Sequence, residues 1–367
     1  MLERINRVRE SLVHQNIDAL FITNQNNVSY LTGFAGLAPS EREGFLLITK
    51  TTAYLITFST YYHMYQKGGD GFVTQCITLK KRLNHILGEI IQADTIKTVG
   101  FEPDSITVSE LESLKKKLPI SWLDTPTTAE SLRKIKDEKE LTAIRKAAKI
   151  TDESFTFIRK KIKPGITERM LALEIEYYIK SHAHDIAFSP IVAFNANAAI
   201  PHYLSSCDPA SPAGRQRLTT NSLILLDFGA KVDGYCSDMT RVVFTGTPNP
   251  KWVDIYKIVW EAQKKALSTI RVGMSASDAD QISRDYIAQN GYTPYEHGLG
   301  HGVGLAIHEL PKLRPGIKDV LEENMVVTVE PGIYLPGEAG VRIEDLVVLK
   351  SDGVEVLSKA SKELTVI

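Results

Sequence analysis

Apolar residues in the first 125 positions gather into short β-rich runs: IDALFIT (17–23), GFLLIT (44–49), AYLITF (53–58) and KTVGFE (97–102). Helix-like stretches such as ITVSELESLKKKL (106–118) separate them, which predicts a small α/β domain over 1–125. TPTTAESLRKIKDEKE follows, polar and containing Pro126, with Asp137 placed to start a helix. Residues 126–137 therefore read as a linker and 138–367 as a second domain.

The second domain carries a weak internal repeat. IKPGITERMLALEIEYYI (162–179) lies over IRVGMSASDADQISRDYI (270–287) at a constant offset of 108, each after a helical run and each opening on a Gly turn. Each half then closes with a pair of strands, LILLDFGA with YCSDMTRVVF and MVVTVEPGIY with VRIEDLVVL. Both leading strands stop on an acid before a glycine turn, Asp227 and Glu330. Both returning strands bring another, Asp238 and Glu344. The overall expectation is an α+β fold with two similar helix–helix–strand–strand halves.

Alternation gives these acids a direction. Asp227 shares a strand face with Leu223 and Leu225, so it continues a buried face, and Glu330 ends an almost unbroken apolar run. A buried acid must be paired, protonated or bound to a cation. A lone Asp-x-Gly is usually a turn cap or half of a salt bridge. Four acids in matched places, with Arg241 and Arg342 the main basic neighbours, point instead to cations from solution.

The stretch HGLGHGVGLAIHE (297–309) supplies imidazoles. His297 and His301 stand four apart, but glycines at 298, 300, 302 and 304 argue against a helix, and no HExxH is present. As a strand, the stretch puts His297, Leu299, His301 and Val303 on one face and leaves the glycine face bare for close backbone approach. His308 falls on the opposite parity or past a bend. Neither G-x-G-x-x-G nor GxxxxGK[ST] fits, which sets aside a phosphate loop.

Four carboxylates and one imidazole form a hard, oxygen-rich set suited to a pair of Mn²⁺, Co²⁺, Fe²⁺ or Zn²⁺ ions. Two such ions ~3.5–4 Å apart lower the pKa of water enough to give a nucleophile near neutral pH, which suits amide or ester hydrolysis.

Composition narrows the partners. The chain has 43 basic and 44 acidic residues in 367 and a pI near 6.8, which gives no reason to expect nucleic acid or an anionic membrane as partner. Cys76, Cys207 and Cys236 are an odd number without a C-x-x-C pair, which fits a reducing cytoplasm. MLERINRVRESLVHQNIDAL is amphipathic with no apolar h-region, so no signal peptide is expected. The stretch 186–207 lacks charge, but Pro190 and Pro201 make it a loop and strand rather than a membrane span.

At these motifs the chain resembles the pita-bread metallopeptidases: methionine aminopeptidase, aminopeptidase P, prolidase and creatinase. The resemblance covers roughly 130–367. It places the five metal ligands of that family on Asp227 in LLDFGA, Asp238 in CSDMTR, His301 in GHGVG, Glu330 in VEPGIY and Glu344 in VRIEDL. It implies that His202 in IPHY and His308 in AIHE position substrate or shuttle protons, and that His297 lines the pocket. It further implies that Arg342 holds Asp238 or a water, and that Tyr235 and Tyr334 line the site.

The domain over 1–125 resembles that of the proline-specific branch and creatinase through NNVSYLTGFAG (26–36), whereas LITFSTYYHMYQK (55–67) departs from the usual pattern. The resemblance implies an Xaa-Pro aminopeptidase or Xaa-Pro dipeptidase with two divalent ions, Mn²⁺ first and Co²⁺, Zn²⁺ or Fe²⁺ as alternatives. It also implies short peptides with proline second as substrates and a homodimer, while the cysteine usage and the N-terminal pattern give the expectation of a cytoplasmic location. The rival readings are a metallo-aminopeptidase of other specificity, a metal-free creatinase-like hydrolase, and a non-catalytic peptide-binding module on the same fold.

Overall fold

The computed structural model describes residues 1–38, 41–67, 69, 71–204 and 217–367. These form two compact units, Met1–Arg133 and Lys134–Ile367.

The first unit is built on a six-stranded mixed sheet, in the spatial order Val73–Ile77, Ala53–Phe58, Gly44–Thr49, Ala19–Ile22, Thr98–Phe101 and Ser121–Asp124. The four β-rich runs expected from the sequence supply the central strands, while Val73–Ile77 and Ser121–Asp124 lie at the edges. The edge strands expose more of their residues and carry a weaker apolar signal. The N-terminal stretch is the helix Leu2–Gln15, which buries Ile5, Val8 and Leu12 at helical spacing. Val108–Lys117 starts at Thr107 with a reciprocal capping box to Glu110.

The boundary between the units falls inside the segment expected to be a linker, but that segment is ordered. Thr128–Arg133 is a helix of the first unit. Arg133 Nη1 donates to Asn27 Oδ1 at 2.8 Å, and Asn27 Nδ2 donates to Glu130 and to buried Glu102. Polar composition alone could not distinguish a buried polar network from a solvated tether.

The second unit realises the repeat. Glu138–Arg159 and Glu168–His182 are the helices of the first half; Pro250–Thr269 and Ala276–Gln289 are those of the second. Gly165 and Gly273, matched at the 108 offset, take nearly the same left-handed φ, 87° and 88°. Thr167 and Ser275 cap the helices that follow. The surrounding bonds match as well: Leu218 N donates to Ile166 O and Leu321 N to Met274 O, each at 2.8 Å.

In the first half Leu223–Phe228 pairs antiparallel with Met239–Phe244, in a four-stranded sheet that Ile191–Phe194 and Thr365–Val366 complete. In the second, Val326–Val329 pairs antiparallel with Asp345–Lys350 within a five-stranded sheet. Leu223 and Leu225 face one hydrophobic cluster while Ile224, Leu226 and Phe228 face another, so both faces of this strand are covered. Among the described residues no helix is long and apolar enough to cross a membrane. Cys76 and Cys236 are free, and Cys207 lies outside the described residues.

Candidate metal centre

The four acids expected from the internal repeat meet in one place. Asp227 is the fifth residue of Leu223–Phe228 and pairs across the sheet with Thr240, while Asp238 stands immediately before Met239–Phe244. Glu330 follows Val326–Val329, and Glu344 precedes Asp345–Lys350. Thr240 ties the halves together. Its backbone O accepts from Glu344 N at 3.2 Å, and its hydroxyl donates to Glu344 Oε2 at 2.6 Å.

His301 completes the group, although the strand around it is shorter than the pattern suggested. Only Gly300–Gly302 is extended, and a bulge falls between His301 and Gly302. Leu299 and Val303 consequently enter different hydrophobic clusters instead of one face. The close approach predicted for the glycines is present: a Cβ on Gly300 would collide with Thr328 O, and one on Gly302 with Leu310 O.

His301 Nδ1 lies 3.1 Å from Gly302 O, which assigns the proton to Nδ1 and leaves Nε2 with a lone pair. That lone pair faces Glu330 Oε1 at 3.4 Å and Asp238 Oδ2 at 3.7 Å. Ligating atoms of Asp238, His301 and Glu344 all lie within 4.8 Å of one another.

Three acceptors facing one another repel unless something positive stands between them. Asp227 Oδ1 and Asp238 Oδ1 are buried with no hydrogen-bond partner, a state that is costly for a carboxylate oxygen. Burial, then the fields of Glu344, Asp227 and Glu330, raise the Asp238 pKa well above the ordinary carboxylate range. Burial and the neighbouring Glu330 and Asp227 do the same to Glu344. Unpaired oxygens, mutual repulsion and a correctly directed imidazole lone pair fit a site for divalent cations.

Arg342 answers part of this charge, on a different acid from the one expected. Its Nη2 donates to Asp227 Oδ2 at 2.6 Å, and its Nε donates to Thr240 Oγ1 and stands 3.9 Å from Glu330 Oε2; Asp238 is not among its contacts. Asp227 and Arg342 approach each other from opposite halves, a pairing that strand parity does not specify. Arg241, the other basic candidate, pairs with buried Asp345 and with the carbonyl oxygens of Glu344 and Ala360.

A cavity of about 550 Å³ opens over these groups. Asp227, Asp238, His301, Glu330, Arg342 and Glu344 line it together with His202, His297 and His308. The His308 ring stands edge-on to His301 with centroids 4.3 Å apart, past the bend. Lost hydration, then His301 and His202, push its pKa down to about 4, so it is neutral at pH 7.

Tyr334 is set behind the wall. Its hydroxyl accepts from Arg342 Nη1 at 2.9 Å and meets His297 Nε2 at 3.0 Å, so it reaches the cavity through those two side chains. Tyr235 does not line the cavity. Its hydroxyl donates to Glu140 Oε1 at 2.9 Å, because the short strand Tyr235–Cys236 turns its ring toward the helix Glu138–Arg159.

Sequence reasoning missed Thr240 and Thr328, whose hydroxyls bond Glu344 and Glu330. Their place on alternate positions of the acid-bearing strands was the available signal. It also missed Lys312 and Arg314, which line the cavity and have no ion-pair partner among the described residues.

A two-half fold with acids and an imidazole gathered at the junction of its strands defines a metal-dependent hydrolase. The chain belongs to metallopeptidase family M24, which residues 142–351 match, and residues 4–135 match the Creatinase/Prolidase N-terminal domain. It is 36% identical to the Xaa-Pro dipeptidase of Pyrococcus horikoshii over 99% of both chains. The Xaa-Pro dipeptidase structure from Bacillus anthracis superposes with a TM-score of 0.92 at 35% identity, over 100% of this chain and 99% of that one. The X-Pro aminopeptidase structure from Thermotoga maritima gives 0.85 at 32% identity, over 96% and 98%.

Proposed function

We propose that the protein is a two-metal exopeptidase that hydrolyses the N-terminal Xaa-Pro bond of short peptides. The reading rests above all on the convergence of Asp227, Asp238, His301, Glu330 and Glu344 at one cavity, with carboxylate oxygens left unpartnered. Asp227 and Asp238 would hold one ion and His301 and Glu330 the other, with Asp238 and Glu344 shared. Mn²⁺ is the proposed metal. When bound, such ions supply Lewis acidity and lower the pKa of water.

The chain's own groups divide the remaining work. Glu330, steadied by Thr328 Oγ1 at 3.0 Å, takes the proton of the nucleophilic water on its carboxylate and delivers it to the leaving proline nitrogen. His202 and the neutral His308 stand at the cavity as donors to the oxygen that gains charge in the tetrahedral state. The line His297–Tyr334–Arg342 keeps the guanidinium on Asp227, which fixes that carboxylate before substrate arrives.

Between the two proline-specific activities, Lys312 and Arg314 favour the dipeptidase. Two exposed cations at the cavity suit the free carboxylate of a dipeptide better than the amide of a longer chain. The proposed catalytic domain is 138–367, preceded by the domain 1–125. A cytoplasmic homodimer is proposed with it, the location on the odd cysteine count without a C-x-x-C pair and on the free Cys76 and Cys236.

The test is cleavage of Ala-Pro, Ala-Pro-Ala and Met-Ala-Ser by protein supplied with Mn²⁺ or Co²⁺. Ala-Pro is expected to be cleaved fastest. Failure on every Xaa-Pro peptide, with no metal bound by elemental analysis, overturns the reading.

A further inference from the structure

The cavity wall behind His308 contains an ion pair that the chemistry above does not use. Lys136 Nζ lies 2.8 Å from Glu309 Oε1, with side chains only 1% and 5% exposed. Removing two charges from water costs about as much as their attraction returns, and apolar replacements of such pairs are often neutral or stabilising. Stability is therefore a poor account of this pair, and its location suggests another.

Lys136 stands on a fixed post. Its backbone N donates to Asn324 O at 3.0 Å, Ile135 bridges to Met325, and Asp137 caps the helix Glu138–Arg159. Met325 leads directly into Val326–Val329, the strand that ends on Glu330.

Glu309, at the far end of the pair, closes a turn. Its Oε2 accepts from Ala306 N at 3.4 Å, and its carboxylate occupies the space that a Cβ on Gly304 would need. Gly304 O in turn accepts from Cys236 N at 2.8 Å, two residues before Asp238. The turn 304–309 is thus fastened on one side to the strand entrance that bears Asp238 and on the other to Lys136. His308 projects from it into the cavity.

We propose that Lys136 is a positioning residue: through its buried pair with Glu309 it fixes the 304–309 turn and so holds the His308 imidazole over His301. The assignment rests on the hydrolytic role given to His308 above. Lys136 itself does not line the cavity.

Lys136→Met alone takes the Lys136 ammonium away from a buried carboxylate and risks misfolding, so the informative protein is Lys136→Met/Glu309→Gln, which removes both charges and keeps an acceptor for Ala306 N. This double variant is expected to fold with a thermal midpoint close to that of the starting protein and to bind the same amount of Mn²⁺. Its kcat on Ala-Pro is expected to fall ~10- to 100-fold, the scale of a small misplacement of a catalytic group, with KM little changed. In the metal-free protein the His308 ring resonances are expected to shift or broaden.

Adding His308→Ala to the double variant should cost little more, because both changes act through one ring. An unchanged kcat with unmoved His308 resonances in the folded double variant overturns the proposal, as does a loss of bound Mn²⁺ in step with kcat. Inactivity of the starting protein itself would instead count against the peptidase reading, and the His308 resonances would still decide the structural claim.

Discussion

Asp238→Asn separates the electrostatics of the carboxylate cluster from its use by metal. Asp238 is 5% exposed, one of its oxygens has no hydrogen-bond partner, and a ligating atom of Glu344 lies within 4.8 Å of its own. Two unit charges at that distance repel by roughly 3 kcal/mol at an effective dielectric of ~20. Binding a proton instead limits the cost at pH 7, since that too requires about 4 kcal/mol for an ordinary carboxyl group. Arg342 offsets a further part.

A net relief of about 2 kcal/mol corresponds to a rise of ~4–8 °C in the midpoint of a domain this size. Metal reverses the order. A ligand at a hundred times its dissociation constant stabilises by ~2.7 kcal/mol, and the variant forgoes most of that increment. Differential scanning calorimetry in chelator and in Mn²⁺ should therefore give crossing results: the variant melts above the starting protein without metal and below it with metal, and it does not cleave Ala-Pro. A lower midpoint in chelator would refute the repulsion argument. An undiminished Mn²⁺ shift would refute the ligand role of Asp238.

Three further perturbations test other parts of the structure. His202→Ala should lower turnover by far more than metal content, read by kinetics beside elemental analysis; equal losses would make it a structural residue. Gly300→Ala drives a Cβ into Thr328 O and should destabilise by ~1–3 kcal/mol or more, seen as a lower urea midpoint together with weaker Mn²⁺ binding. Asp18 is held below the ordinary carboxylate range by the Lys50 ammonium and by the backbone N–H groups of Lys97 and Thr98. Because its folded pKa is depressed, its contribution is present above pH ~4 and is lost as pH falls through the folded value; Asp18→Asn should lower the urea midpoint at pH 7, and the difference should shrink as pH falls below ~4.

What could be read from the chain alone follows from what local pattern encodes. Strand alternation placed Asp227 on a buried face, and the 108-residue offset found two equivalent halves down to the φ angles of Gly165 and Gly273. Both are properties of short segments. The resemblance of five motifs then named the acids and His301, and the structure brings them to one cavity.

The misreadings lie where direction is set by distant contacts. Tyr235 turns to Glu140, 95 residues away, and Arg342 takes Asp227 across 115 residues. The bulge at His301 interrupts the period of two, so parity fails within a single step. Lys136 and Glu309 are 173 residues apart, and nothing around either announces the other.

The order of the site residues along the chain bears on how the protein is made. Asp227 and Asp238 are synthesised with the first half, His301, Glu330 and Glu344 with the second, and residues 365–366 pair with the strand that follows Asp238. A nascent chain that has completed only its first half presents two acids and no imidazole from the cluster. A metal ion that takes ligands from both halves can therefore find its full set only after translation has delivered the second half.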